Sequence, residues 1–298
     1  MDISGKRILV TGSSGFIGGL IFKKLYNANA NLVIGLDKNN VHFGSGRISV
    51  DLSNNDCIEM IRSFNPEIII HAAAQSDVMS SFMNPIEDLK ANVISTLNII
   101  KAIDDMDCEC IVYLNSGGAT YMEAPSPRLE SDPIKPQSPY GISKQTSELY
   151  LEMLCLQSER RFVSLALSNV YGQLQDNRKG VIFNFIEAIK TGKEIKLFGE
   201  KCTRDYIHVD DVVESILIAL EKDIVGRFNI STGIPTENIQ VFNMIAEALH
   251  FKLEPNVYAS RRGEMLYSVL SNVKFREATG WEPKIPLKDG IKRILELE

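Results

Sequence analysis

A tyrosine and a lysine four residues apart, with a serine 24 residues before the tyrosine, are well suited to chemistry. Tyr140 and Lys144 fall in a segment with helical periodicity, so their side chains share one face of a helix. A tyrosine with a pKa of about 10 is a poor base, but a neighbouring ammonium favours its phenolate. Such a phenolate can take a proton from an alcohol whose oxygen Ser116, at the end of a predicted strand, holds by a hydrogen bond. A surface pair on an amphipathic helix would have the same spacing. The position of Ser116 at a predicted strand end and a glycine-rich turn near the start of the chain favour the catalytic interpretation.

A glycine-rich turn near the start of the chain predicts a phosphate-binding site. Residues Thr11–Gly18 read T-G-S-S-G-F-I-G, follow the apolar strand candidate Arg7–Val10, and open a helical pattern. In such a turn Gly12 permits the tight bend, Gly15 lets a pyrophosphate approach, and Gly18 lets the helix pack against the sheet. The free N–H groups of the helix start then face the anion. The spacing G-x-x-G-x-x-G is one residue longer than the common G-x-G-x-x-G.

An aspartate 25 positions after Gly12 predicts the identity of the bound dinucleotide. Asp37 ends the second apolar strand candidate, where a carboxylate can bind both ribose hydroxyls of adenosine and repel a 2′-phosphate. This favours NAD over NADP, although Lys38 weakens the exclusion, and a turn aspartate remains the alternative. Asp51 and Leu52 end a short extended segment and are candidates to flank the adenine.

Strand and helix candidates alternate through the first half of the chain, which predicts the scaffold that positions these residues. The strand candidates are Arg7–Thr11, Asn31–Asp37, Glu67–Ala72, Cys110–Asn115 and Phe162–Leu167, and the helix candidates include Asn84–Ile103 and Pro139–Leu156. Continuous apolar strands between helices indicate a parallel sheet covered on both faces. The predicted fold is α/β, with a Rossmann-type doubly wound parallel sheet and a smaller C-terminal α/β substrate-binding domain. Binding sites in such sheets lie at the carboxyl ends of the strands, where Asp37 and Ser116 fall.

The composition excludes several classes of protein. A formal net charge of -6 argues against a nucleic-acid partner. The five cysteines are odd in number and include no C-x-x-C pair, so we expect reduced thiols rather than disulfides or a zinc site. We find no run of about 18 apolar residues that would span a membrane, and no signal peptide is visible, so we expect a cytoplasmic protein.

Several further motifs resemble the extended short-chain dehydrogenase/reductase family, and more narrowly its nucleotide-sugar 4-epimerases of the UDP-glucose and UDP-N-acetylglucosamine kind. The motifs are the T-G-S-S-G-F-I-G turn, H-A-A-A-Q at 71–75, P-Q-S-P-Y-G-I-S-K at 136–144, R-D-Y-I-H-V-D-D at 204–211, R-R-G-E at 261–264 and G-W-E-P at 280–283. The resemblance covers nearly the whole chain. It implies an NAD-binding domain of residues 1–171, to which 203–229 return, and a nucleotide-sugar-binding domain of residues 172–202 and 230–298.

The resemblance also implies roles for individual residues. The implied cofactor contacts are Gly12, Gly15, Phe16, Ile17, Gly18, Asp37, Asp51, Leu52, Ala73, Asn92, Tyr140 and Lys144, and the implied substrate contacts are Ser116, Asn169, Phe198, Arg204, Arg261, Glu264 and Ser268. Arg204 and Arg261 would bind the diphosphate of a UDP-sugar in bidentate fashion, and Phe198 would lie near the uracil. The alternative for Arg204 is an ion pair with Asp205 or Asp210.

Departures from the family pattern limit which of the family's reactions we expect. Gly117 and Gly118 follow Ser116 where dehydratases carry an acid pair and decarboxylating members a glutamate, so we expect neither reaction. The register of the catalytic serine within 115–118 stays open. An NAD-dependent 4-epimerase, which oxidises C4 to a ketone and returns the hydride to the other face, is the favoured function. An NAD(P)H-dependent 4-ketosugar reductase and a non-catalytic NAD(P)-binding scaffold are the alternatives.

The sugar, the oligomeric state and the histidines complete the predictions. Ser268 lies four residues after Glu264, where related epimerases gate the substituent on C2, and its small side chain leaves room for an N-acetyl group. We therefore expect UDP-N-acetylglucosamine/UDP-N-acetylgalactosamine, with UDP-glucose/UDP-galactose as the alternative.

The resemblance implies a homodimer through Asn84–Ile103 and Pro139–Leu156. His71 and His208 lack neighbours at metal-ligand spacing, so we predict a strand-end residue, a packing residue and no metal site.

Overall fold

A computed structural model of the chain describes residues 3–27, 32–39, 46–172, 180–260 and 265–296. The strands are β1 (Arg7–Thr11), β2 (Leu32–Asp37), β3 (Arg47–Ser49), β4 (Ile68–His71), β5 (Cys110–Ser116), β6 (Arg161–Leu167), β7 (Asn169–Tyr171), β8 (Lys196–Phe198), β9 (Thr203–His208), β10 (Gly226–Ile230), β11 (Pro235–Glu237), β12 (Asn256–Tyr258) and β13 (Tyr267–Ser268). The helices are α1 (Phe16–Asn27), α2 (Asp56–Phe64), α3 (Val78–Met83), α4 (Pro85–Leu89), α5 (Ser95–Ile103), α6 (Gly117–Thr120), α7 (Pro139–Gln157), α8 (Val181–Thr191), α9 (Val209–Glu221), α10 (Asn238–Ala248), α11 (Val273–Thr279) and α12 (Leu287–Glu296).

The main sheet has the order β10-β6-β5-β4-β1-β2-β3 within the described residues, and each neighbouring pair is parallel. The strand order reverses between β1 and β4, which creates a crevice at the carboxyl ends of these strands. Alternate side chains of each strand enter two separate cores: Ile8 and Val10 pack in one, Leu9 and Ile69 in the other. This confirms the predicted doubly wound α/β sheet, and β10 adds a strand that the sequence pattern did not predict.

The second half of the chain builds a smaller sheet around β9, which pairs with β7, β11 and β13. A third core of aromatic and aliphatic residues lies beside it, with Phe185 and Phe242 in edge-to-face contact. Of segment 203–229, β9 belongs to this smaller sheet, whereas α9 packs in the same core as α1 and β10 joins the main sheet. The smaller C-terminal α/β unit is as predicted, and the exact domain boundaries stay a prediction.

The segment predicted as one helix over Asn84–Ile103 is divided into α4, a π-helical turn at Lys90–Ile94, and α5. Pro85 occupies the first position of α4, where the missing N–H costs nothing. A π-helical turn inserts one residue into a helix and is frequent at functional sites. The periodicity of the apolar residues did not reveal it because the insertion shifts the buried face by only one position.

The glycine turn between β1 and α1 is closely packed. Gly12 has a φ of +68°, and a Cβ at this position would lie 2.8 Å from the backbone N of Ala73. A Cβ at Gly18 would lie 2.2 Å from the carbonyl O of Gly12, which is backbone and has little room to move. The absence of side chains therefore lets α1 begin directly against the turn, as predicted from the spacing.

Among the described helices, none combines the length and the apolar character that crossing a bilayer requires. The five cysteines are buried and free.

Replacing Gly18 by alanine should lower the free energy of unfolding by about 1–3 kcal/mol, since the added methyl group overpacks a backbone contact. Gly19→Ala is a matched control on the next residue of the same helix, because a Cβ there would lie 3.4 Å from the carbonyl O of Ser13. Alanine at this helical position should be neutral or stabilising by up to about 1 kcal/mol. Chemical denaturation of both variants measures the difference, and equal stabilities would contradict the packing argument.

Candidate functional site

The start of α7 positions the predicted catalytic pair. The side chain of Ser138 caps the helix by accepting a hydrogen bond from the N–H of Gly141 (3.1 Å), and Pro139 occupies the first helical position. Tyr140 follows in the first turn and Lys144 one turn later, and both side chains are buried against the main sheet. The cap therefore fixes where α7 begins, and the four-residue spacing places Tyr140 and Lys144 on the same face of it.

The hydroxyl of Tyr140 lies close to the side chain of Ser116, at the carboxyl end of β5. Burial raises the pKa of Tyr140 to about 12, the interaction with the Ser116 side chain opposes this rise, and the Asp88 carboxylate adds to it. The structure thus places two of the three predicted catalytic residues next to each other. The other candidate hydroxyl, Thr120, donates to the carbonyl O of Ser116 (2.9 Å) instead.

The ammonium of Lys144 lies on the sheet, with its Nζ 4.1 Å from the centroid of the Tyr113 ring. Burial lowers the pKa of Lys144 from its ordinary 10.5 to about 7, although the carboxylates of Glu148 and Asp88 act in the opposite direction. A lysine with this pKa can hold or release a proton near neutral pH. Together with Ser116 and Tyr140 it forms a group that can remove a proton from an alcohol and return it.

A buried polar network lies behind this group and includes Asn92 from the π-helical turn. The Nδ2 of Asn92 donates to Ser143 Oγ (2.9 Å), and its Oδ1 accepts from the N–H of Gln75 (2.8 Å). Ser143 Oγ donates to Oδ2 of Asp88 (2.6 Å), and Gln75 Nε2 donates to Oδ1 of the same carboxylate (2.9 Å). Sequence reasoning predicted Asn92 but missed Asp88, whose spacing of four residues from Asn92 was the available signal.

His71 connects the glycine turn to the π-helical turn. Thr96 donates its hydroxyl proton to the carbonyl O of Asn92 (2.7 Å), so His71 Nε2 must carry the proton of its 3.0 Å bond to Thr96. His71 Nδ1 then accepts from the hydroxyl of Thr11 (2.8 Å), which itself accepts from the N–H of Ala73 (3.1 Å). Burial lowers the pKa of His71 to about 3, so the imidazole stays neutral in this bridge.

Metal chemistry has no visible support: within the part of the chain that the structure describes, no three His, Cys, Asp or Glu side chains group closely enough to hold an ion. His208 caps α9, with its Nδ1 accepting from the N–H of Asp210 (3.2 Å), and burial lowers its pKa. Both histidines therefore have structural partners, as predicted.

The glycine turn and Asp37 fit a dinucleotide. The Asp37 carboxylate accepts from the N–H groups of Ser14 and Asn39 (2.9 Å each), which leaves acceptor capacity for two ribose hydroxyls. The hydroxyls of Ser13 and Ser14 are buried without a hydrogen-bond partner among the described residues, as expected of polar atoms beside a ligand.

The remaining predicted cofactor residues surround the turn to different degrees. Phe16 and Ile17 begin α1, directly after the turn. Leu52 is buried, and its carbonyl O accepts from Asn98 Nδ2 (2.9 Å). Asp51 is exposed and accepts from the N–H and hydroxyl of Ser53 (2.9 and 2.7 Å), which lower its pKa.

Two predicted substrate residues lie beside α6, the short helix that follows Ser116. A Cβ on Gly118 would lie 3.2 Å from Ser268 Oγ and 3.6 Å from Asn169 Oδ1, so both side chains border this glycine. Ser268 is also the strand partner of Arg204 in the pairing of β13 with β9. The smaller sheet thus brings Ser268 and Asn169 close to the end of β5, and Arg204 lies on the strand next to Ser268.

The alternative interpretation of Arg204 is an ion pair with Asp205 or Asp210, so the contacts of these two carboxylates are compared with those of Arg204. Asp205 is fully buried and accepts from Thr232 Oγ1 (2.7 Å) and the N–H of Gly233 (2.9 Å), and burial raises its pKa. The Oδ2 of Asp210 lies 3.7 Å from the Nη1 of Arg293. Arg204 Nη1 donates to the carbonyl O of Thr203 (2.9 Å).

An aromatic pair stands at the outer end of the smaller unit. Phe198 stacks on Tyr258, with ring centroids 5.3 Å apart, and the hydroxyl of Tyr258 donates to Glu194 (2.5 Å). Sequence reasoning predicted Phe198 and missed Tyr258, which lies 60 residues later and just before the R-R-G-E motif rather than within it. Arg261 and Glu264 lie outside the described residues.

Comparison with known proteins places this geometry in a family. The model of the NAD-dependent epimerase/dehydratase family matches residues 8–231. The UDP-glucose 4-epimerase of Mycolicibacterium smegmatis is 34% identical over 97% of this chain and 97% of its own. The structure of the Thermotoga maritima UDP-glucose 4-epimerase with UDP-glucose is 33% identical, covers 97% of both chains and has a TM-score of 0.91. That of the Thermus thermophilus UDP-glucose 4-epimerase with NAD is 33% identical, covers 97% and 98%, and has a TM-score of 0.89. The chain therefore belongs to the NAD-dependent epimerase/dehydratase family.

Proposed function

We propose that this protein interconverts UDP-N-acetylglucosamine and UDP-N-acetylgalactosamine by inverting C4 of the sugar. The broader class, an NAD-dependent 4-epimerase of UDP-sugars and thus an isomerase, rests on the family and on relatives that share over 30% of their residues across nearly the whole chain. The observation that carries the chemistry is the proximity of the Ser116 and Tyr140 hydroxyls, with a buried Lys144 one helical turn after Tyr140.

Each residue of this group has a separate task. Ser116 holds O4 of the sugar, and the phenolate of Tyr140 takes the O4 proton while the C4–H bond breaks. NAD, which the glycine turn and Asp37 would hold, would supply the chemistry of taking up this hydride and giving it back to the opposite face of the same carbon, and its positive charge would favour the phenolate. Lys144, as an ammonium, also favours the phenolate. Tyr140 then gives its proton back to O4, so no external oxidant or reductant is consumed.

The start of α6, directly after Ser116, argues against elimination. Gly117 and Gly118 offer no carboxyl group to protonate a departing hydroxyl, and a Cβ on Gly117 would lie 2.3 Å from Cδ1 of Leu270. A side chain at this position would therefore need the end of the buried Leu270 side chain to shift. A 4-ketosugar reductase remains the alternative, and Asp37, which disfavours a 2′-phosphate, supports the epimerase over a consumer of NADPH.

The choice of sugar follows from Ser268. This residue is buried beside Gly118 and Asn169, so the residues around this point, two positions after Ser116, are small or short. An N-acetyl group on C2 needs such space, whereas a hydroxyl does not. The same argument admits the plain hexose as a poorer-fitting substrate.

We further propose that the protein is a homodimer that pairs through α7 and its neighbours α3 and α4. The exposed apolar side chains of this face are Met79, Met83, Ile86, Leu89, Ile142, Leu149, Tyr150, Met153 and Leu156. Five of them recur on α7 at helical spacing, which gives one continuous stripe. Large apolar patches of this kind on a soluble surface mark interaction sites.

Purified protein without added reductant should interconvert the two UDP-N-acetylhexosamines, and Tyr140→Phe should lower the rate by about 10²–10⁴ because the general base is lost. Tyr150→Phe, an exposed position on the same helix, is the control and should retain the rate. Product analysis by NMR measures both. A requirement for added NADPH would replace the epimerase with the reductase, and an active Tyr140→Phe variant would refute the role of the phenol.

Replacing Ser268 by tyrosine should fill the space for the N-acetyl group and change the substrate preference. We expect at least a tenfold loss of kcat/KM for UDP-N-acetylglucosamine, with a smaller loss for UDP-glucose. Ser268→Ala keeps the space and should retain both activities. Equal losses for both sugars in the tyrosine variant would show that Ser268 does not select the C2 substituent.

Leu149→Glu should weaken dimerisation by at least about tenfold, because it places a charge in the apolar stripe. Leu253→Glu changes an equally exposed leucine outside the stripe and should leave the oligomeric state unchanged. Sedimentation velocity over a range of concentrations measures the dissociation constants. A wild-type protein that is monomeric at all concentrations would contradict the proposed dimer.

A further inference from the structure

A buried ion pair lies one helical turn beyond the catalytic lysine. Glu148 follows Lys144 by four residues on α7, and only 3% of its surface is exposed. Arg227, from β10 at the edge of the main sheet, donates from Nη1 to Oε2 of Glu148 (2.5 Å). The partner of the carboxylate therefore comes from a segment nearly 80 residues later.

Arg227 is fixed by several further contacts. Its Nε donates to the hydroxyl of Tyr121 (3.0 Å), its Nη1 to Gln145 Oε1 (2.9 Å), and its Nη2 to Thr120 Oγ1 (2.6 Å). The guanidinium also lies 4.5 Å from the centroid of the Tyr121 ring. A guanidinium with this many partners holds one orientation, so it also fixes the carboxylate of Glu148.

The second oxygen of Glu148 has no such partner. Oε1 is buried and lacks a hydrogen bond among the residues that the structure describes. A half-satisfied buried carboxylate destabilises a fold unless a nearby charge compensates for it. Arg227 compensates the charge at Oε2. Because residues four apart on a helix are neighbours, the ammonium of Lys144 is a second cation close to this carboxylate, and the two charges attract each other.

We propose that Glu148 is a positioning residue for the epimerisation: its carboxylate, held in place by Arg227, keeps Lys144 in its ammonium form beside Tyr140. The inference rests on the proposed function, since it concerns the group that carries the reaction. Glu148 acts through Lys144 and has no contact with the reacting sugar.

The other groups around Lys144 do not replace Glu148. His71 on β4 and Tyr113 on β5 face the lysine, but burial lowers the pKa of His71 to about 3 and raises that of Tyr113 well above 10, so both stay neutral. The carboxylate of Asp88 on α4 also favours the ammonium, yet its oxygens accept hydrogen bonds from Ser143, Gln75 and Asn92. Burial raises the pKa of Tyr140 to about 12, so without bound cofactor this side chain is neutral near neutral pH. Of the two carboxylates, Glu148 is the one with an oxygen that has no hydrogen bond among the described residues.

This arrangement predicts how the rate depends on pH. Burial already lowers the pKa of Lys144 to about 7, and Glu148 opposes that fall. Removing the carboxylate should lower the lysine pKa by about one to two units more. The ammonium would then be lost below neutral pH.

The test uses the NAD-loaded enzyme and the isosteric variant Glu148→Gln, whose amide oxygen can still accept from Arg227. We expect the alkaline limb of the kcat profile to move to lower pH by about one to two units. The rate loss should be roughly tenfold at pH 8 and should shrink below pH 6, with little change in KM. Glu148→Asp keeps the charge and should restore the wild-type limb.

Glu152→Gln is the matched control, because Glu152 is exposed one turn further along the same helix. It should leave the profile unchanged. If Glu148→Gln folds poorly because Arg227 is left unpaired, Glu148→Gln/Arg227→Gln removes both buried charges and should show a shift in the same direction, but a smaller one because the Arg227 cation is lost too.

A second readout needs neither cofactor nor activity. Because folding lowers the pKa of Lys144, the unfolded chain binds more protons between about pH 7 and 10.5, so the free energy of unfolding rises with pH across that window. In Glu148→Gln the rise should begin below pH 7. Subtracting the curve of the matching Lys144→Met variant isolates the contribution of the lysine.

A uniform rate loss at every pH, with no shift of the limb or of the stability curve, would overturn the inference and leave Glu148 a purely structural residue. That outcome would not affect the proposed function, because the wild-type enzyme would still interconvert its UDP-sugars. Failure of the wild-type protein to epimerise UDP-sugars would overturn the proposed function, while the stability curves would still report on Glu148 and Lys144.

Discussion

The charge of a lysine buried on top of a parallel sheet is the constraint on which the rest of the site depends. An isolated ammonium in such a place would lose its proton, as the fall of the Lys144 pKa to about 7 indicates. Two buried carboxylates, Asp88 from α4 and Glu148 from α7, favour the ammonium form of Lys144. Each carboxylate in turn needs donors, which the π-helical turn and β10 supply. The polar interior around the site is therefore a consequence of one cation.

The same requirement explains why the turns around the site are joined by hydrogen bonds rather than by apolar packing alone. His71, neutral and fully buried, connects Thr11 at the end of β1 to Thr96 beyond the π-helical turn. A displacement of the glycine turn would break the bond to His71, and a displacement of the π-helical turn would move Asn92. The dinucleotide-binding turn and the catalytic network are thus held in one register, which suits a reaction in which hydride and proton leave one carbinol group together.

The local motifs were predictable from the sequence because each depends on residues close together in the chain. Gly12, Gly15 and Gly18 define a turn, and Tyr140 and Lys144 define a helix face. Asp88 was not predicted because its partners come from three other segments. Arg227 and Tyr258 were not predicted for the same reason, since Arg227 contacts Glu148 and Tyr258 contacts Phe198 across 60 residues or more. Apolar periodicity also could not show the π-helical turn or the return of β10 to the main sheet, since both depend on tertiary contacts.

The residues proposed for proton transfer and those proposed for sugar selectivity are positioned by different sheets. Ser116, Tyr140 and Lys144 depend on the main sheet and its buried charges, so substitutions there change protonation as well as shape. Ser268 and Asn169 stand on strands that pair with β9 of the smaller sheet, and both border Gly118, two residues after Ser116. If the sugar binds beside them as proposed, a change at Ser268 would alter the volume next to it without removing a buried charge. Such a change would then alter the preferred sugar while the charges around Lys144 stay as they are.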